Sequence, residues 1–170
     1  AQYSMFDRRP ERSLLEYSRE HGIYTFCFGV LAGGFLDERY LGKAQSAPET
    51  QSQVKYMQII EDSLGWAGMQ KLLPVLKEIA DRHGVRIANV ATQYILRQPG
   101  VGAVMIGTRN SRHVDSNVAT LNFDLTEEEI QTIHDFISRY PTPEGDCYWL
   151  ERNSPRYKGI ILTDRNNVEH

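Results

Sequence analysis

The stretch Val101-Gly-Ala-Val-Met-Ile-Gly-Thr-Arg-Asn-Ser111 constrains the fold of this chain more than any other. Residues 101–106 are continuously apolar, the pattern of a strand covered on both faces, as in a parallel sheet. The strand hands a glycine, a hydroxyl and an arginine (Gly107, Thr108, Arg109) to the first turn of a helix predicted from about 111 to 121. Unpaired N–H groups and the positive dipole end of a helix start attract anions, and a guanidinium fork holds a phosphate at two points. Such a corner suits the phosphate of a nucleotide. The plain alternative is structural, with Asn110 or Ser111 as a simple cap and Arg109 solvated.

The rest of the chain alternates in the same way. Residues 1–6 read as the stub of a strand. Pro10, suited to a first turn, opens a helix that runs to about residue 21 and stops at Gly22, with Leu14, Leu15 and Tyr17 on its apolar face. A β-rich run, Ile23-Tyr-Thr-Phe-Cys-Phe28, ends at Gly29. Residues 31–48 form a long connection rich in glycine and polar residues, and loops of that length are functional or disordered. Helices are predicted over 49–63 and 66–83, the second kinked or divided at Pro74, and over 87–96 ahead of Pro99-Gly100. Thr126-Glu-Glu-Glu129 is a capping box before Ile130, Ile133 and Ile137, which share a helix face. The domain is expected to span 1–140. Residues 141–170 read as an irregular tail anchored by Trp149 and Ile160-Ile-Leu162.

This alternation predicts an α/β fold with parallel strands. Few strands are evident, and a sheet so small leaves apolar strands without cover. Completion by oligomerisation or by a partner segment is expected.

Composition bounds the function. A chain of 170 residues, 41% of them hydrophobic, is one domain with a real core. A net charge of -3 gives no electrostatic pull toward nucleic acid or an acidic membrane. No apolar run approaches a membrane span, and no signal-peptide pattern opens the chain. Cys27 sits in an apolar run and Cys147 in the polar tail, a usage that fits a reducing compartment without a disulfide framework. A cytoplasmic location is the expectation. No histidine pairs with a cysteine, carboxylate or second histidine at ligand spacing, so no metal site is expected.

Gln2-Tyr3-Ser4, Asp7-Arg-Arg-Pro-Glu11, Gly29-Val-Leu-Ala-Gly-Gly34, Ile106-Gly-Thr-Arg-Asn110 and Asn117, in this order and spacing, resemble the aldo-keto reductases. The match is to the C-terminal half of that barrel, from the sixth strand onward, over residues 1 to about 150. The resemblance implies a partial (β/α)8, TIM-barrel-like architecture with its site at the C-terminal ends of the strands, and carbonyl reduction with NADPH. It implies residue roles as well. Phe28 stands where the family usually stacks a tyrosine on the nicotinamide ring. Gly29, Leu31 and Gly33 match the loop along the pyrophosphate. Gly107, Thr108 and Arg109 match the clamp on the 2′-phosphate, His113 falls beside the adenine, and Asn117 matches the asparagine at the adenine edge.

The family's catalytic aspartate, tyrosine, lysine and histidine come from the first half of the barrel, and no matching motif assigns them here. Reduction of a carbonyl needs a positioned general acid. The resemblance therefore implies a cofactor-binding half that reduces carbonyls only when another chain complements it. A second reading is a stand-alone half-barrel acting as a cofactor-independent isomerase, lyase or cyclase on a small organic molecule. Its candidate residues are Tyr3, Asp7, Thr108, Arg109 and His113, expected to cluster near the strand C-termini, with Tyr3, Asp7 and His113 as the catalytic set. A third is a non-catalytic module that pairs through an exposed sheet edge. Expected partners are a small-molecule substrate and either further copies of the chain or a complementing N-terminal half.

Overall fold

β1 (Thr25–Phe28) and β2 (Val101–Met105) run parallel and side by side, with Phe26 opposite Ala103, Cys27 opposite Val104 and Phe28 opposite Met105. The computed structural model describes residues 1–108 and 111–157, and the backbone alone of Arg112. The first residues add one bridge rather than a strand. Gln2 pairs with Phe28 in parallel, held by the Tyr3 N–H on the Phe28 carbonyl at 3.1 Å and the Phe28 N–H on the Ala1 carbonyl at 2.9 Å.

The helices are α1 (Leu14–Glu20), α2 (Gln51–Glu61), α3 (Gly65–His83), α4 (Ile87–Leu96), α5 (Arg112–Val118), α6 (Glu127–Ile137) and α7 (Cys147–Asn153). They cover one face of the sheet. Cys27 on that face is fully buried, whereas Phe26 and Met105 on the other are 59% and 53% exposed. The expectation that residues 101–106 are covered on both faces is therefore corrected. The open face is the one a closed barrel turns toward its interior, where further strands would cover it.

The core lies between β1, α3 and α4. α4 buries Ile87, Val90, Ala91, Tyr94 and Ile95 along nearly its whole length, and α3 answers with Met69, Leu72, Leu73, Leu76 and Ile79. Pro74 neither divides nor ends α3, which runs unbroken from Gly65 to His83. Its ring faces solvent, and the buried leucines on either side offset the lost backbone hydrogen bond. Gly84, left-handed at φ +64, closes the helix.

The capping box at α6 forms as the sequence implies. The Glu129 N–H donates to the Thr126 hydroxyl at 3.2 Å, and the Thr126 N–H donates to Glu129 Oε2 at 3.0 Å. Other boundaries shift. The helix expected from Pro10 to residue 21 begins as a 3-10 turn, Arg9–Arg12, before α1, and the helix expected to reach 121 tightens into a 3-10 turn after Val118. Residues 31–48 are held by 3-10 turns at Ala32–Gly34 and Glu38–Tyr40, with Phe35 and Leu36 buried. In the stretch expected to be irregular, α7 forms and Tyr157 is buried, its hydroxyl donating to Asp62.

Candidate functional site

Because β1 and β2 are parallel, both deliver their next residues to the same end of the sheet. Gly29, Val30, Leu31, Gly33 and Gly34 after β1 face Met105, Ile106 and Gly107 at the end of β2 across a cleft of about 560 Å³. Thr50, Ser52 and Tyr56 at the start of α2 close its side. A cleft of this size suits a cofactor or small-molecule ligand.

The local sequence explains the cleft's wall. Gly29 and Gly33 adopt φ of +73 and +67, a region that L side chains rarely adopt. A β-carbon at Gly29 would stand 2.1 Å from the Tyr56 hydroxyl, and one at Gly33 would stand 3.0 Å from the Tyr56 ring. The bare backbone at both positions is what lets the aromatic ring seat against the loop. α2 is started by Thr50, whose side chain accepts the Gln53 N–H at 3.1 Å.

The structure brings Gly29, Leu31, Gly33 and Gly107 to one cleft. It sets Thr108 beside Asn117, whose side-chain amide donates to the Thr108 hydroxyl at 3.1 Å. His113 stands exposed on α5, while Arg109 and Asn110 lie outside the described residues. Phe28, half-buried, comes directly before the glycine loop. The Lys55 ammonium lies 5.7 Å from its ring centroid, and the Tyr148 ring lies at 6.4 Å, tilted by 39°.

α7 seals the region around Gln2. The Cys147 thiol donates to Gln2 Oε1 at 3.3 Å, and Glu151 forms an ion pair with Lys55. Burial pushes the Cys147 thiol up to about 11, with Lys55 opposing the shift and Glu151 adding to it. A thiol so placed is protonated at neutral pH and a poor nucleophile.

Tyr3 and Asp7 do not line the cleft, so the structure does not bring them into the cluster expected with Thr108 and His113, and Arg109 lies outside the described residues. Tyr3 is fully buried, donates to Glu11 Oε1 at 2.7 Å and borders a separate cavity with Leu15 and Gln98. Burial and the Glu11 carboxylate push its hydroxyl well above the usual tyrosine range. Asp7 is fully buried, accepting from Gln2 Nε2 at 2.6 Å and from the Arg9 guanidinium.

Sequence reasoning did not find Tyr56, Lys55 or Tyr148 as neighbours of this site. Only the paired glycines at 29 and 33 carried a trace of Tyr56, since glycine spaced in this way marks the close approach of another group. Among the described residues, no His, Cys, Asp and Glu cluster is arranged to hold a metal ion, and no helix is long and apolar enough to cross a membrane.

The Aldo/keto reductase family model matches residues 1–138. Protein tas of Escherichia coli (strain K12) is 27% identical over 146 residues, covering 83% of this chain and 40% of tas. The uncharacterized oxidoreductase YqkF of Bacillus subtilis (strain 168) is 31% identical over 133 residues, covering 78% of this chain and 40% of YqkF. The glycerol dehydrogenase AKR11B4 from Gluconobacter oxydans superposes with a TM-score of 0.67 at 20% identity, over 84% of this chain and 42% of that one, a likeness of fold. The chain thus spans about two fifths of the length of the curated relatives it matches, as a partial barrel.

Proposed function

The chain belongs to the aldo/keto reductase family, and on that premise we propose that its cleft binds NADPH and that barrel strands outside these residues, in cis or in trans, complete a carbonyl reductase. The observation that carries this reading is the convergence of Gly29, Leu31, Gly33 and Gly107 on one cleft at the C-terminal ends of parallel strands. That is the end at which barrels of this kind place their sites.

The residues present fit the cofactor. Gly29 and Gly33 stand in the cleft wall with Tyr56 seated against them, on the loop this reading assigns to the diphosphate, and the half-buried Phe28 ring directly before Gly29 is the aromatic face it assigns to the nicotinamide. Thr108 follows Gly107 at the end of the cleft, and this reading gives it and Arg109, the next residue in the sequence, the 2′-phosphate, with Asn117 against Thr108 for the adenine. NADPH, when bound, supplies the hydride.

The proton is a separate requirement. A carbonyl that accepts hydride needs a general acid beside its oxygen. Tyr3 and Asp7 do not line the cleft and are engaged with Glu11 and Arg9, so this reading assigns the acid to the completing strands. The open sheet face that carries Phe26 and Met105 is where those strands would close.

Substitution of Arg109 by Ala tests the assignment. Loss of a charge-assisted contact to the 2′-phosphate should weaken NADPH by about tenfold or more and leave NADH nearly unchanged. Equal losses for both nucleotides would remove Arg109 from the 2′-phosphate clamp.

A further inference from the structure

Four tyrosines are buried among the described residues, Tyr3, Tyr56, Tyr94 and Tyr157, and they differ in what their hydroxyls meet. Tyr3 donates to Glu11 and Tyr157 to Asp62. The Tyr94 hydroxyl is sealed in the core without a partner. Tyr56 differs from all three. It is only 7% exposed and its hydroxyl has no hydrogen-bond partner among the described residues, yet the side chain borders the cleft and the hydroxyl lies against Gly29 in the cleft wall.

We propose that the Tyr56 hydroxyl is a ligand-binding donor, giving a hydrogen bond to the diphosphate of the dinucleotide that lies along the glycine loop. This rests on the reading of the cleft as the NADPH site and deepens it, because the second wall of the diphosphate seat then comes from α2 rather than from the loop alone. Unlike the sealed Tyr94 hydroxyl, the Tyr56 hydroxyl is not cut off from solvent, and a phosphate oxygen entering the cleft would take the place of water as its acceptor. Burial raises the hydroxyl's pKa, so the group stays protonated and acts as a donor across the physiological range.

The helix start favours an anion at the same place. The N-terminal end of α2, an 11-residue helix, lines the cleft through Thr50 and Ser52, and its positive dipole end faces the loop. The Lys55 ammonium lies 5.5 Å from the Tyr56 ring centroid in an ion pair with Glu151, and the other carboxylate acting on the hydroxyl, Asp7, is paired with Arg9, so both nearby carboxylates are matched by a cation. The ring and the hydroxyl have separable duties. The ring packs on Gly29 and Gly33 and holds the loop's shape, and the hydroxyl meets the ligand.

The test is Tyr56→Phe, which keeps the ring and removes the donor. Binding of NADPH and of adenosine 2′-monophosphate, which has no 5′-phosphate and so no part of the diphosphate, is measured by calorimetry for both proteins, with thermal unfolding as the check on folding. The expected result is NADPH affinity reduced by about ten- to a hundredfold in Tyr56→Phe, with adenosine 2′-monophosphate bound as before and the melting temperature unchanged. Undiminished NADPH binding by Tyr56→Phe overturns the proposal and leaves the NADPH reading standing. Equal weakening of both ligands also overturns it, because the loss then lies in the shape of the cleft. A wild-type chain that binds neither ligand refutes the NADPH reading and this proposal together. Should Tyr56→Phe melt lower than wild type, both ligands are titrated at a temperature at which both proteins are folded, and NADPH affinity equal to wild type there overturns the proposal.

Discussion

The Arg9 guanidinium holds Asp7 at two points, Nε on Oδ1 at 2.7 Å and Nη2 on Oδ2 at 2.5 Å, while Asp7 is wholly buried. The pair fixes the turn that leads from the first residues into α1, and it accounts for an aspartate in a promising sequence position that is not free for chemistry. Arg9→Met leaves that carboxylate buried without a counter-charge and should cost about 3 kcal/mol. Urea unfolding measures it. A loss of under about 1 kcal/mol would mean that the pair behaves like an exposed ion pair.

Gly29 and Gly22 separate backbone strain from contact with Tyr56. Both adopt positive φ, at +73 and +64, but a β-carbon at Gly22 meets nothing within 4 Å. Gly22→Ala should therefore cost about 1 kcal/mol, the strain alone. Gly29→Ala adds a collision with the Tyr56 hydroxyl and should cost about 3 kcal/mol. Equal shifts in melting temperature would contradict the wedge of Tyr56 against the loop.

Glu129 makes stability depend on acid. Its partial burial works to raise its pKa, but the hydrogen bond from His83, the Thr126 N–H and the nearby Arg82 outweigh that and hold the carboxylate below its ordinary value. A carboxylate held down in the folded state adds stability above its unfolded pKa, about 4.3, and loses it as pH falls through the folded value. Glu129→Gln should cost about 1 kcal/mol at pH 7, with the gap to wild type closing by about pH 3. A gap unchanged between those two pH values would show that the charge contributes nothing.

Cys147 should resist alkylation. With the thiol pushed up to about 11 by burial, the thiolate fraction at pH 8 is on the order of one in a thousand. Iodoacetamide at pH 8 should label it roughly a hundredfold more slowly than a free thiol, and denaturant should remove the protection. Intact mass against time gives the answer. Labelling at the rate of an exposed cysteine would mean that α7 does not cover the thiol.

Local signals were legible in the sequence where one short stretch decides the structure. Thr126 and Glu129 announce the start of α6, and the apolar run at 101–106 announces β2. The glycines at 29, 33 and 107 mark the cleft through the family resemblance, and the structure brings them together. What the sequence hid depends on distant partners. Pro74 argued for a break, but the leucines around it are buried by α4, and that tertiary burial overrides the local preference. The apolar pattern of β2 argued for cover on both faces, and it does not reveal that the cover for Phe26 and Met105 must come from elsewhere. Tyr56 was invisible as a site residue because its meaning lies in Gly29 and Gly33, more than twenty positions earlier. Asp7 was misplaced because pairing with Arg9, two residues on, reads equally well as a charged helix entry or as a catalytic set.

The most direct measurement is a calorimetric titration of the chain with NADPH, its solution mass determined on the same sample. The account predicts saturable binding of one NADPH per chain, weaker for NADH. A folded chain of defined mass that takes up no NADPH would contradict it and show that the cleft between the glycine loop, α2 and β2 serves another ligand.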